Sequence, residues 1–197
     1  MSRTTSLVVF LLTLALCAGS AWAQTAAVTT TTPPADTLKI DYFSNANTAG
    51  APDATVRIDN PGTGSGNVCA SLFVFDPNQE LSECCSCLLT PDGLRTLSVN
   101  SDITSNPLTG VTLNTGLIKF VSTIPVAGTC PLPTQVRPTP ALRAWTTHIQ
   151  TGNFAITETT SQDATLSNGE VSRLSRQCYA VWLVGSGRGI CSCGKGD

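Results

Sequence analysis

The sequence predicts a mainly β chain, an antiparallel β-sandwich of immunoglobulin-like architecture with one C-terminal α-helix, stapled by disulfides. Three observations lead there. Short segments of period-two alternation recur between Gly, Pro and Asn turns. Only one stretch carries helical spacing. The cysteines left after removal of a leader are even in number.

The leader comes first. Arg3 lies in a short polar start, Leu7–Leu16 is an almost unbroken apolar run, and Ala21-Trp22-Ala23 fits the small-x-small cleavage rule. Residues 1–23 therefore read as a signal peptide cleaved before Gln24, leaving 174 of the 197 residues. The apolar run is shorter than the roughly 20 residues a membrane span needs. Leu16 is too bulky to precede Cys17 at a lipoprotein cleavage site. The expectation is a secreted or cell-surface chain without a membrane span. Losing Arg3 leaves ten basic against thirteen acidic residues, which is no footprint for nucleic acid or anionic membrane.

Residues 24–37 (QTAAVTTTTPPADT) are low in complexity and read as a flexible Thr/Pro-rich arm. A sharper reading makes the arm a β-strand lent to another copy, since Thr and Val favour strands. Residues 38–197 form one domain. Leu38–Phe43 alternates as a half-buried strand does, and Ala54–Asn60 alternates again before Asn60-Pro61-Gly62 stops it.

The centre of the chain reads as a three-stranded meander against which the rest packs. Its strands are Val68–Phe75, Glu80–Thr90 and Leu94–Val99, joined by Asp76-Pro77-Asn78-Gln79 and by Pro91-Asp92-Gly93, where Gly93 is free to take positive φ. Val111–Leu113 is a possible short strand, and Leu117–Ile124 is a clear one. A proline-studded loop holding Cys130 runs to Pro140, and Ala141–Gln150 pairs with Asn153–Thr160 as a hairpin. The helix starts at a capping box, with Ser167 as N-cap and Glu170 reaching back. Val171, Leu174 and Cys178 line one face, and the expected end is near Cys178–Val181.

The eight mature cysteines are Cys69, Cys84, Cys85, Cys87, Cys130, Cys178, Cys191 and Cys193. In an exported chain they read as four disulfides. On a strand Cys84 points to one face and Cys85 and Cys87 to the other. Counting outward from the first turn sets Cys69 opposite Cys87, or opposite Cys85 after a register slip. Cys178 is placed to bridge to the Cys191-Ser-Cys193 tail, and a bridge from Cys130 would tie down the longest irregular segment. The competing reading is a thiolate site for Cu(I) or Zn²⁺ built from the Cys-Ser-Cys motifs. No ligand histidine set supports it, and free thiolates would have to survive oxidation after export, so no metal or other cofactor is expected.

His148 is the single histidine, without a GxSxG or catalytic-cysteine context, and reads as a surface or packed residue. Asp76, Glu80, Glu83 and Glu158 supply carboxylates, but nothing singles out a glycosidase pair. Asp76, Asn78 and Glu80 lack the spacing of a calcium loop, and Gly185–Gly189 lacks the lysine of a phosphate loop. No catalytic residue is assigned.

The segments VCASLFVFD, ECCSC, TPDGLRTLSVN, LRAWTTHIQ and GSGRGICSCG resemble a family of exported, cysteine-rich proteins of soil bacteria, of the Acidobacteria type, to which no activity is attached. The resemblance implies export and a shared fold and carries over no catalytic or binding residue. The expected function is a non-enzymatic structural protein of the surface or matrix, self-assembling through its arm into a homo-oligomer or filament. The alternatives are an extracellular glycan-binding module using Trp145 or Tyr42, and a secreted metal-binding protein.

Overall fold

Nine short strands form two antiparallel sheets in the computed structural model, which describes residues 36–64 and 66–194. The leader (1–23) and the arm up to residue 35 lie outside the described residues. The strands are β1 (Leu38–Phe43), β2 (Thr55–Asp59), β3 (Val68–Phe75), β4 (Leu81–Leu89), β5 (Leu94–Ser98), β6 (Gly116–Thr123), β7 (Arg143–Ile149), β8 (Ile156–Thr160) and β9 (Gln162–Asp163). The order is β4-β3-β6-β1-β9 in the first sheet and β5-β2-β7-β8 in the second. Helix α1 (Asn168–Val184) covers the outer face of the first sheet. Among the described residues no helix is long and apolar enough to cross a membrane.

β3 is buried at all eight positions, because it is covered on both faces. Ala70, Leu72 and Val74 point into the space between the sheets with Val56, Ile58, Leu97, Ile118 and Phe120. Phe73 and Phe75 point the other way, against Leu174, Cys178 and Val181 of α1. Each of these large side chains contributes about 1.5–3 kcal/mol by leaving water.

The predicted meander is corrected in its third strand. β3 and β4 pair as expected, but β5 leaves them and joins β2 in the opposite sheet. Such a crossover puts the apolar Leu97 on the inner face of the second sheet, facing the same core. The turn before β5 also differs from expectation. Asp92, not Gly93, takes the left-handed backbone (φ 59°), while a Cβ on Gly93 would stand 2.8 Å from the Thr90 carbonyl oxygen. Gly93 is needed for close approach. Val111–Leu113 forms no strand, and β9 and a π-helical turn at Val99–Ile103 are additions.

One residue overturns the expected partner of Cys69: neither Cys87 nor Cys85 lies opposite it. Phe75 lies opposite Leu81, but Val74 lies opposite Glu83, so Ser82 is an extra residue in β4. Beyond the bulge every pairing moves by one: Cys69 faces Leu88, and Cys87 faces Ala70. Cys69 bridges to Cys130, tying down the proline-rich loop. Cys84, on the helix side, bridges to Cys178, which corrects the expected link from Cys178 to the tail. The tail instead meets the inner face of β4 through Cys85–Cys191 and Cys87–Cys193.

Helix α1 begins where predicted, with the Ser167 hydroxyl accepting from the Glu170 N–H at 3.1 Å. The Glu170 carboxylate does not reach back. It is taken by Arg173 and by Lys119 of β6. Packing of Val181 against β4 and β3 carries the helix on to Val184, past the expected end.

Candidate functional site

Buried polar side chains gather on the inner faces at one edge of the sandwich, where the chain changes sheets. β8 pairs with β7 in the second sheet, and after Ser161 the same stretch becomes β9 and pairs with β1 in the first. The Ser161 N–H still donates to Ala144 of β7, whereas Gln162 is already opposite Ile40. This crossing draws the inward-facing Lys39 and Asp41 of β1 towards the inward-facing His148 of β7.

Asp41 is buried and fully engaged. Its Oδ1 accepts from the Tyr42 N–H at 2.9 Å, and its Oδ2 accepts from the Ser161 hydroxyl at 2.9 Å. His148 Nε2 lies 2.6 Å from the Thr159 hydroxyl and 3.5 Å from Asp41 Oδ1. The Tyr42 ring lies against the imidazole, with ring centroids 4.2 Å apart. Lys39 bonds Asp36 and Asp163, and those two partners hold its ammonium above the usual lysine range against the opposing effect of burial. A cleft of about 500 Å³ opens beside this group, lined by Tyr42, His148, Thr159, Thr160, Gln162 and Asp163.

The arrangement is not a hydrolytic triad. A relay needs the hydroxyl on one imidazole nitrogen and the carboxylate on the other. Here Thr159 and Asp41 both approach Nε2, and Nδ1 is buried without a partner among the described residues. His148 is packed, 4 % exposed.

The remaining sequence candidates are dispersed. Asp76 and Glu80 share one turn, where the Asp76 carboxylate accepts from the Glu80 N–H at 2.8 Å. Glu158 pairs with Arg57 on the outside of the second sheet. Glu83 lies in the core, its Oε1 accepting from the Asn106 N–H and its Oε2 without a partner among the described residues. Burial in these apolar surroundings pushes the Glu83 carboxyl up to about 8. Trp145 and Tyr42 are not brought together: Trp145 lies opposite Arg57 on the outer face of the second sheet.

Sulfurs of Cys85, Cys87 and Cys193 lie within 4.8 Å of one another, the clustering that the metal reading draws on. All three are joined in bridges, with Cα separations of 5.2 Å for Cys85–Cys191 and 5.3 Å for Cys87–Cys193. A bridged sulfur offers no thiolate to a cation. Four disulfides are the covalent chemistry of an oxidising compartment.

Sequence reasoning missed Asp41 and Thr159 as partners of His148, and Ser161 as a partner of Asp41. A signal was present in β1, where Lys39 and Asp41 share a face with Phe43. No protein-family model, curated protein or solved structure matches the chain.

Proposed function

We propose that the chain is an exported, non-enzymatic structural protein of the cell surface or extracellular matrix, assembling with copies of itself. The observation that carries this reading is β8. It is the terminal strand of the second sheet, paired only with β7 among the described residues, and all five of its residues are exposed. An open edge of this kind presents unpaired N–H and C=O groups to another strand, and soluble proteins ordinarily guard against that. The opposite edge of the first sheet is guarded: the tail lies along β4, with Cys84 N–H donating to Gly189 and Cys191 N–H donating to Cys84. Ile156-Thr-Glu-Thr-Thr160 is rich in threonine, as is the 24–37 arm. A Thr-rich strand from one copy added to β8 of another is the assembly this edge accepts. The four bridges suit a protein that must last outside the cell.

The test is light scattering and electron microscopy of the exported protein, of a variant lacking residues 24–35, and of the intact protein with added QTAAVTTTTPPADT peptide. Concentration-dependent assembly that the deletion abolishes and the peptide inhibits is the expected result. A monomer at every concentration, or assembly indifferent to both changes, overturns the proposal.

A further inference from the structure

The notch beside Tyr42, at the end of β8, has the makings of a ligand site. It exists because β9 is only two residues long. Gln162 and Asp163 pair with Ile40 and Lys39, after which β1 continues past them through Asp41, Tyr42 and Phe43 while the neighbouring chain has turned into the other sheet. Space is left where a longer β9 would have lain.

Three features of the notch bear on what fills it. Tyr42 is 53 % exposed yet held, because its ring rests on a buried imidazole that is itself fixed by Thr159 and Asp41. A pre-set aromatic face loses little conformational freedom when a ligand arrives. The uncharged polar residues Thr159, Thr160 and Gln162 line the notch beside the apolar Ile40, Leu117 and Ala164. Finally, the charges near the notch are already matched. Asp163 is bonded to Lys39, and Asp41 is buried under Tyr42 N–H and Ser161.

Those features discriminate among ligand classes. An anion would need a free cation, and Lys39 is buried and doubly paired. A cation would need an uncommitted carboxylate, and Asp41 and Asp163 are both engaged. A purely apolar ligand would strip water from the Thr and Gln groups without replacing their hydrogen bonds. A sugar ring has what is left: an apolar C–H face to lay on the tyrosine and a rim of hydroxyls for the threonines and the amide. The geometry points to a binding site for a neutral saccharide, one ring stacked on Tyr42 and hydrogen-bonded by Gln162 and Thr160. One aromatic platform and a few hydrogen bonds make a weak site per ring, so repetition along a polymer or across an assembly would supply avidity.

The experiment is a titration of the full exported protein, labelled with ¹⁵N, with cellotetraose, chitotetraose, xylotetraose and laminaritetraose at millimolar concentrations. At least one probe is expected to shift the amides of Tyr42, Thr160 and Gln162 together. Tyr42→Ala should weaken that binding roughly tenfold, Tyr42→Trp should keep it, and Trp145→Ala should leave it unchanged. The undisturbed spectrum of the remaining amides in Tyr42→Ala reports that the variant is folded. No shift at the notch with any of the four probes, shifts clustered elsewhere, or wild-type binding by folded Tyr42→Ala overturns the site. Light scattering without sugar reads self-assembly separately, so either proposal can fail alone.

Discussion

Cys85 and Cys191 face each other at a Cα separation of 5.2 Å, and Cys87 and Cys193 repeat the contact at the same sequence offset of 106 residues. One Cys-Ser-Cys has docked on the other in parallel register, as the parallel bridge between Cys84 and Ile190 confirms. The two bonds are rungs of one ladder, and they seal the edge of β4.

The rungs should therefore be non-additive. With Cys84–Cys178 in place, the first rung closes a further loop of only about 14 residues, worth ~3 kcal/mol in the chain-entropy description. The second closes only about four residues more, worth ~2 kcal/mol in the same description. Replacing Cys87 and Cys193 together by Ser should cost ~2 kcal/mol, and replacing all four ladder cysteines ~5 kcal/mol. Guanidinium denaturation of the two variants checks this; equal losses for each rung would contradict it.

Glu83 should make the fold weaken as the solution turns alkaline. Its carboxyl is held neutral by burial and raised to about 8, well above the 4.5 it has in the open chain. The folded state thus binds the proton more tightly, and the resulting stability is complete below about pH 4.5 and lost as pH rises to about 8. The slope in that window is at most ~1.4 kcal/mol per pH unit. Glu83→Gln should flatten it, keeping a hydrogen bond acceptor for Asn106. Melting temperature against pH for both proteins is the measurement, and parallel curves would refute the assignment.

At the acid end Glu170 acts with the opposite sign. Hydrogen bonds from Arg173 and then Lys119 hold its carboxylate below the usual range. Its contribution is present above the open-chain value and lost as pH falls through the lowered one. Glu170→Gln should remove this acid-side loss at a cost of under ~1 kcal/mol at neutral pH, because the pair is partly exposed. Ser167→Ala, at the cap of the same helix, should cost ~1 kcal/mol at any pH. Denaturation at acid and neutral pH separates the two.

Gly189 controls how the tail seats. Its backbone is left-handed (φ 76°), and a Cβ there would overlap Val181 of α1 and stand 3.2 Å from the Ser82 carbonyl oxygen. Gly189→Ala should destabilise by at least ~2 kcal/mol, from backbone strain together with overpacking. A melting temperature equal to wild type would show that the tail can shift without loss.

Local pattern was legible wherever it depended on neighbours in sequence. The bounds of β1 and β3 are those the sequence predicts, Ser167 caps the helix, and Cys84 lies on the opposite face from Cys85 and Cys87. The seam was harder to read. The polarity of Lys39 and Asp41 suggests a solvent face, since their partners Asp163 and Ser161 lie 124 and 120 residues away.

Alternation, composition and cysteine number by themselves determined a disulfide-braced, mainly β chain, because each follows from which face a side chain takes or how many sulfurs must pair. Only the tertiary structure decided which faces meet. The Ser82 bulge is invisible in the apolar pattern, since Leu81, Ser82 and Glu83 are all buried, yet it moves every cysteine pairing beyond it. The crossing at Ser161, which builds both the seam and the notch, follows from pairing two sheets at once. Period-two alternation names a face, and contacts across a hundred residues choose its partner.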